Sequence, residues 1–166
     1  RRVLFRSRLG AACGARRLLI NLLVEALAAN RTPRRAGADL EALRTGRATA
    51  LASSAEYENP AVRAADRDHA TRWASLASDP QWVILDLGEE REVGRVRLFW
   101  ETAYGKEYLL LGSRNLDDWA LLKHEHAGDG GEDEITFARR PLRYVAVLGL
   151  ARGTGWGYSL WEVTAE

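Results

Sequence analysis

The run GWGYSLWEV at residues 155–163 lies near the end of the chain and combines a loop with a strand. A glycine flanks Trp156 on each side, which is typical of an exposed loop because glycine leaves the backbone free to turn. Residues 159–163 form a short apolar run typical of a β-strand. The run therefore predicts an aromatic ring presented on a loop beside the final strand of a β domain.

Strand patterns continue upstream of this run. Residues 93–100 alternate clearly, with Val96, Leu98 and Trp100 on one face. Similar runs occur at residues 81–87, 108–111, 119–126, 134–137 and 143–148. Turn residues separate the runs at 88–90, 115–118, 128–131 and 151–157. Because helical periodicity is absent between them, these short strands predict an all-β antiparallel sandwich or barrel.

The composition changes near residue 47. Residues 1–47 carry eleven arginines and three acidic residues, a net charge of +8, whereas residues 48–166 carry thirteen basic and twenty acidic residues, a net charge of −7. All six tryptophans lie in the second part, which we predict to be a β domain at 47–166. The basic segment does not indicate a nucleic-acid arm, because its arginines are scattered and the acidic domain would repel phosphate.

The first 46 residues predict an N-terminal helical segment before the β domain. Residues 1–7, RRVLFRS, look like a sequencing adapter read in frame, which would lie outside the fold. Residues 15–30 have helical spacing and predict a mostly buried helix from an upstream domain. A signal peptide is the alternative, but Glu25 argues against it, and the run is too short and polar for a membrane span. Residues 31–46 indicate a linker with a short helix at 39–44, so that 8–46 form one segment.

The chain contains one cysteine, Cys13, and no methionine. A single cysteine excludes an internal disulfide and leaves the compartment open. Without an initiator methionine, we expect the chain to be a piece of a longer product.

The β domain contains a series of motifs in a recognisable order. They are ASS at 52–54, DRDHATRWAS at 66–75, DPQWVILDLG at 79–88, WETAY at 100–104, RYV at 143–145 and GYSLWEV at 157–163, with Tyr108, Ser113 and Trp119 between them. This order resembles the factor V/VIII type C, or discoidin, family, and within it carbohydrate-binding module family 32. The resemblance implies a galactose-binding-like jelly-roll sandwich that binds a glycan. It also implies covalent linkage to a larger secreted enzyme and an extracellular or periplasmic location.

Hard oxygen ligands cluster in the second motif. Asp66, Asp68 and Thr71 lie within six residues of one another, and Ca²⁺ takes six to eight oxygen ligands. The resemblance implies a structural calcium held by these three residues and by Glu162 of the last strand. The family usually has glycine where this chain has Arg67, a residue that would be strained at positive φ. The alternative is a loop capped by aspartates without a metal.

The resemblance places sugar binding on loops at one end of the sandwich. An aromatic ring stacks on the apolar face of a pyranose, and charged or amide groups bind its hydroxyls. We expect Trp156 to be the main platform. The other candidates in these loops are Glu56, Tyr57, Arg72, the stretch 74–78, Trp100, Glu101, Tyr104 and Arg152.

Two positions depart from the galactose-binding members of the family. Those members carry a histidine and an arginine in the binding loops. Here Ala74 stands near the histidine position, and no arginine occurs at 101–104. The departures argue against galactose and leave open a different sugar or none. Core packing is the competing interpretation for Trp100, and we expect Tyr158 to form a hydrogen bond within the fold.

Two further patterns have a plain structural interpretation. His124 and His126 share one face of a predicted strand and are able to bind zinc, but no third ligand is evident, so we interpret them as a solvated strand edge. The glycine-rich stretch 128–131 lacks the strand, lysine and helix of a phosphate loop, which indicates a hairpin turn.

Catalysis is not predicted, because no nucleophile–base pair and no Gly-Xaa-Ser-Xaa-Gly elbow is present. The leading hypothesis is a non-catalytic carbohydrate-binding module with a structural calcium. The alternative is a discoidin-type adhesion domain that binds a protein or lipid, although a charge of −7 disfavours anionic lipid.

Overall fold

The computed structural model describes residues 40–166. The adapter interpretation of residues 1–7 and the helix predicted at 15–30 therefore lie outside the described residues. A short helix at 40–44 comes first. It is followed by β1 (Ala50–Ala52), a 3-10 helix (Ala61–Ala64), β2 (Trp73–Ala74), β3 (Gln81–Trp100), β4 (Gly105–Ser113), β5 (Trp119–Glu125), β6 (Glu132–Arg152) and β7 (Ser159–Ala165). Within this described part, no helix has the length and apolar character to cross a membrane.

The strands form one antiparallel sheet that folds over on itself. Their order is β2-β7-β3-β6-β4-β5, and β1 pairs with the beginning of β3. The two long strands β3 and β6 pair with each other, and their register shifts between Asp86 and Arg91. Val83 before this shift and Val96 beyond it face the same hydrophobic core. The two halves of β3 therefore face each other across that core, and the predicted all-β jelly-roll sandwich is confirmed.

The turn predicted at residues 88–90 is wrong, because the chain does not reverse there. β3 continues through this point, and Gly88 adopts a φ of +89°, which only glycine reaches without strain. The predicted strands 134–137 and 143–148 likewise join within β6. The glycine marks a bulge instead of a turn, because the partner strand continues the hydrogen-bond ladder on both sides of it.

Two hydrophobic clusters lie on opposite faces of the first half of β3, since its side chains alternate and both faces are covered. The central cluster lies inside the sandwich and includes Trp73, Val83, Leu85, Val96, Leu98, Trp100, Tyr108 and Leu160. The flank cluster covers the other face and includes Leu43, Trp82, Ile84, Leu109, Trp119 and Tyr144. Four of the six tryptophans thus belong to these clusters, while Trp161 is half-buried and Trp156 is exposed.

Residues 40–46 contact the β domain. Leu43 is fully buried in the flank cluster, and Nη1 of Arg44 donates to Oδ2 of Asp117 over 3.0 Å. Burying a leucine side chain contributes about 1.5–3 kcal/mol. The end of the predicted linker therefore packs on the sandwich, whereas the division of the chain at residue 47 stays a prediction.

Candidate functional site

Four loops meet at one end of the sandwich and enclose an open cavity of about 340 Å³. One loop follows β1, one flanks β2, one joins β3 to β4, and one joins β6 to β7. The lining residues are Glu56, Arg72, Ala74, Ser75, Glu101, Thr102, Ala103, Trp156, Gly157, Tyr158 and Ser159. Four of the residues predicted from sequence, Glu56, Arg72, Glu101 and Trp156, are therefore brought together.

Backbone hydrogen bonds join these loops to one another. The N–H of Ser75 donates to the carbonyl of Tyr158 over 2.8 Å, and the N–H of Tyr158 donates back to Oγ of Ser75 over 2.9 Å. The N–H of Glu101 donates to the carbonyl of Ser159, whose own N–H donates to the carbonyl of Ala103. Main-chain groups and the Ser75 hydroxyl thus hold the loops together around the cavity.

Gly157 is required by this arrangement. A Cβ atom at this position would lie 2.2 Å from the carbonyl oxygen of Ser75, much closer than real Cβ contacts. In contrast, a Cβ on Gly155 meets nothing within 4 Å. The two glycines beside Trp156 thus have different roles, because only Gly157 allows the β6–β7 loop to approach the β2 loop.

Trp156 presents a large aromatic surface at the rim. It is 69% exposed, one of four large hydrophobic residues with high exposure in the described part of the chain. Its N–H donates to Oγ1 of Thr154 over 3.2 Å, and its carbonyl accepts from Nη1 of Arg152 over 3.2 Å. The backbone is thereby held while the indole ring faces solvent.

Two carboxylates line the same cavity. Glu56 is exposed, and its N–H donates to the carbonyl of Ala74 over 2.8 Å, which fixes its loop. Glu101 is half-buried, and its Oε2 accepts from the N–H of Ala103 over 3.2 Å. Each carboxylate retains acceptor capacity, because an ionised carboxylate offers about four lone-pair sites.

Arg72 supplies the positive charge of the cavity. Its guanidinium carbon lies 5.6 Å from the centroid of the Trp161 ring, within the range of a cation–π contact. Its Nε is buried without a hydrogen-bond partner. This contact holds Arg72 against the Trp161 ring of β7.

Trp100 and Tyr57 were predicted as sugar contacts but do not line the cavity. Trp100 is only 4% exposed and belongs to the central cluster, and its Nε1 donates to Oδ2 of Asp133 over 2.8 Å. The core interpretation is therefore correct for Trp100, because its alternating position in β3 directs it inward. Tyr57 is 91% exposed and stands next to Glu56, outside the lining.

Tyr104 and Arg152 also lie outside the lining and support the loops around it. The ring of Tyr104 packs directly on Gly153, where an added Cβ would lie 2.1 Å from it. Nε of Arg152 pairs with Oδ2 of Asp79 over 3.2 Å. Asp79 also accepts from the hydroxyl of Tyr158, and burial together with this hydrogen bond raises the pKa of Tyr158. The hydrogen bond predicted for Tyr158 is thus present.

Several lining residues were not predicted individually. Thr102, Ala103 and Ser159 contribute small side chains and backbone groups, and Ser75 lies within the stretch 74–78 named only as a whole. Small residues of these types do not by themselves indicate a binding site in a sequence. The useful signal was position, since each lies within three residues of a predicted site residue.

The loop at 66–71 is organised by its own acidic side chains. The Asp66 carboxylate accepts from the N–H of Asp68 over 3.0 Å and from Oγ1 of Thr71 over 2.7 Å. The Asp68 carboxylate accepts from the N–H of Ala70 over 2.9 Å. The three predicted oxygen ligands therefore share one loop and are linked by hydrogen bonds.

Glu162 joins this loop from β7. It is 3% exposed, and its Oε2 accepts from the N–H of Arg67 over 2.8 Å. Burial raises the pKa of Glu162, and the nearby charge of Asp66 raises it further. Arg67 adopts a φ of +65°, in the left-handed region that favours glycine. These oxygen groups are of the kind that calcium prefers, but the carboxylates of Asp66, Asp68 and Glu162 do not all bring an oxygen within 4.8 Å of the others.

The fold and the cavity define a β-sandwich binding domain of the galactose-binding type. Residues 63–147 match the F5/8 type C family, described as a NedA-like, galactose-binding domain. The chain therefore belongs to the F5/8 type C family, as its motifs predicted. The solved structures that resemble it include carbohydrate-binding modules, and the domain is non-catalytic.

Chitosan-binding modules are among the solved structures that resemble this chain. Module 1 of a chitosanase/glucanase from Paenibacillus sp. IK-5 is 43% identical, with 71% of this chain and 93% of that chain covered and a TM-score of 0.68. Module 2 of the same enzyme, solved in complex with chitotriose, is 36% identical, with 70% and 93% covered and a TM-score of 0.67. A family 32 module of Clostridium perfringens NanJ in complex with galactose is 22% identical, with 74% and 96% covered and a TM-score of 0.63, and shows the fold alone.

A curated relative is the polysaccharide lyase 8 family protein HylA of Enterococcus faecalis. It is 34% identical over 70 residues, which cover 42% of this chain and 5% of that protein. The chain thus matches only a small part of a much longer protein.

Proposed function

We propose that the β domain is a carbohydrate-binding module for glycans that carry amino groups, such as chitosan oligosaccharides. The observation that carries the proposal is the composition of the cavity, in which the exposed ring of Trp156 stands with the carboxylates of Glu56 and Glu101. This combination matches an apolar sugar face with positively charged substituents.

Stacking on Trp156 supplies the contact common to all pyranoses. The C–H bonds of one sugar face are apolar, and burying them against an indole ring removes apolar surface from water. The backbone of Trp156 is held by its contacts to Thr154 and Arg152, so that less ordering of the loop is needed on binding. A flat platform of this kind binds many sugars, and the polar groups must select among them.

The carboxylates select an amino sugar. A protonated amine donates up to three charge-assisted hydrogen bonds, which are shorter and about twice as strong as neutral ones. Glu101 is half-buried, so its charge is less screened than that of a fully exposed residue. Arg72, on the same lining, offers donors to sugar hydroxyls, which accept hydrogen bonds.

The charge of the whole domain acts in the same direction. A net charge of −7 on residues 48–166 attracts a polycationic glycan and repels an anionic one. Two chitosan-binding modules at 43% and 36% identity support this assignment. The departures from the galactose-binding pattern at Ala74 and residues 101–104 agree with it.

We further propose a structural calcium at the loop 66–71. Asp66, Asp68, Thr71 and Glu162 would hold it, and the ion would neutralise the buried carboxylate of Glu162. Such an ion would link β7 to the loop that leads into β2, and β2 carries Ala74 and precedes Ser75 of the cavity. Its role would be structural, without contact with the sugar.

We also propose that the domain is appended to a larger secreted enzyme acting on a polysaccharide. The Paenibacillus modules derive from a chitosanase/glucanase, and the Enterococcus relative is a polysaccharide lyase family protein. A tethered module raises the local concentration of its enzyme on a polymer, so that weak single-site binding is sufficient. This arrangement would place the protein outside the cytoplasm.

Isothermal titration of the full chain with glucosamine trimer and with its N-acetylated counterpart tests the proposal. We expect binding of the amino trimer and much weaker binding of the acetylated one, which lacks the positive charges. Glu101→Gln should lower the affinity for the amino trimer by roughly 10-fold or more, since a hydrogen bond to a charged group contributes about 1.5–3 kcal/mol. Glu58→Gln is the matched control, because it removes the same charge outside the lining.

Equal binding of both trimers, or equal losses in the two variants, would contradict the amino-sugar assignment while leaving a carbohydrate module. Absence of binding to any glycan, with a protein or lipid partner captured instead, would favour the adhesion alternative.

A further inference from the structure

Two histidines and a glutamate converge at the open edge of the sheet. β5 is the edge strand and pairs with β4, with Tyr108 opposite Glu125 and Leu109 opposite His124. Continuing this antiparallel register sets Glu107 opposite His126. Because alternate residues of a strand share a face, Glu107, His124 and His126 all project from the same side of the β4–β5 pair.

The side chains confirm this placement. Oε1 of Glu107 lies 2.9 Å from Nε2 of His124 and 3.6 Å from Nδ1 of His126. The two imidazole rings lie 3.7 Å apart between centroids, at 36°. One ligand atom from each of the three residues lies within 4.8 Å of the others, and no other trio of His, Cys, Asp or Glu in residues 40–166 comes together in this way.

We infer that Glu107, His124 and His126 form a binding site for a divalent transition metal of the zinc type. In a tetrahedral zinc site with bonds of about 2.0–2.1 Å, the ligand atoms lie about 3.3–3.4 Å apart. The separations of 2.9 and 3.6 Å approach this value, so small side-chain adjustments complete the geometry. Two imidazoles and one carboxylate leave the fourth position for water.

The backbone around the cluster is shaped to present these ligands. The register between β4 and β6 shifts on both sides of Glu107, a bulge of the kind that re-aims a side chain. The Glu125 carboxylate accepts from the N–H groups of His126 and Ala127, which fixes the backbone that carries His126. Glu125 also pairs with Lys123, so its charge is directed to the opposite face.

The site differs from the acidic loop in the metal that it selects. Imidazole ligands favour zinc, copper and nickel, whereas the all-oxygen set of Asp66, Asp68, Thr71 and Glu162 favours calcium. Glu107 and His124 are half-buried and His126 is exposed, so the ion reaches the cluster without opening the fold. Bound there, it would cross-link β4 to the edge strand β5.

The inference is tested by titrating the full chain with Zn²⁺ in saturating Ca²⁺, with all variants built on Cys13→Ser to remove the single thiol. We expect one equivalent of Zn²⁺ to bind and to raise the thermal midpoint. Losing a group that only hydrogen-bonds a ligand costs about 10–100-fold in metal affinity, so His124→Gln or Glu107→Gln should cost about 100-fold or more. His69→Gln, which changes the third histidine, should bind as before.

Spectroscopy keeps the test independent of stability. Co²⁺ in place of Zn²⁺ should give the intense visible bands of a four- or five-coordinate site, and these bands should disappear in the His124→Gln/His126→Gln variant. Imidazole proton resonances of His124 and His126 should shift with Zn²⁺ while those of His69 do not. Zn²⁺ binding that is unchanged in this double variant, or shifts confined to His69, would overturn the inference.

Discussion

The cavity and the loop at 66–71 use acidic residues in opposite ways. Glu56 and Glu101 stand in an open cavity, where their charges remain partly hydrated and can meet a ligand. Glu162 is 3% exposed and touches the backbone of Arg67, where its negative charge is disfavoured by burial. The comparison teaches that burial decides the role of a carboxylate here. In the proposed functions, the open carboxylates bind a charged ligand, whereas the buried carboxylate of Glu162 would be stabilised by a bound counter-ion.

The largest effect is expected from calcium at Glu162. At a calcium concentration about 100 times the dissociation constant, binding adds about 2.7 kcal/mol to the free energy of unfolding, a rise of roughly 10 °C in Tm for a domain of this size. Glu162→Gln keeps an acceptor for the N–H of Arg67 but loses the charge, so it should abolish this rise. Differential scanning calorimetry in calcium and in EDTA measures both.

Glu166→Gln is the control for this prediction, because it removes an exposed charge just beyond β7. It should retain the full calcium response. A wild-type thermal midpoint that is the same in EDTA and in calcium would contradict the calcium proposal. The loop at 66–71 would then be held by its own hydrogen bonds alone.

A smaller effect is expected from Gly157→Ala. The added Cβ would collide with the carbonyl of Ser75 at 2.2 Å, and forcing an extra methyl into a packed site costs about 1–3 kcal/mol of stability. Glycan affinity should fall as well, because the two loops of the cavity must separate. Urea denaturation and titration of the amino trimer measure the two losses.

Gly155→Ala is the matched control, since its Cβ meets nothing within 4 Å. Stability and affinity should stay at wild-type values in that variant. Equal behaviour of the two alanine variants would show that the close approach of the loops does not determine the cavity.

The smallest effect on stability, and one confined to the cavity, is expected from Trp156→Ala. Affinity for the amino trimer should fall by roughly 10-fold, or about 1.4 kcal/mol. The free energy of unfolding should change by no more than about 0.5 kcal/mol, as for an ordinary surface substitution. Tyr57→Ala is the control, because Tyr57 is 91% exposed and outside the lining. Similar losses of affinity in both variants would extend the sugar platform beyond the cavity.

Local patterns predicted most of the fold because burial repeats with the period of the strand. The alternation of Val96, Leu98 and Trp100 is correct, and it also explains why Trp100 packs inward. The turn at Gly88 was wrong, since a glycine with positive φ serves a bulge as well as a reversal and only the partner strand distinguishes them. Half of the predicted sugar residues line the cavity, and the others support it or lie beside it.

The sequence alone determined the strand pattern, the glycine-flanked presentation of Trp156 and the acidic composition of residues 66–71, because each depends on neighbours in the chain. The tertiary structure decided which distant groups meet. It brought Glu56 and Glu101 to Trp156, buried Glu162 beside the backbone of Arg67, and supplied Glu107 to two histidines that seemed to lack a third ligand. Strand register and loop packing set these distances, and both depend on residues that are far apart in the sequence.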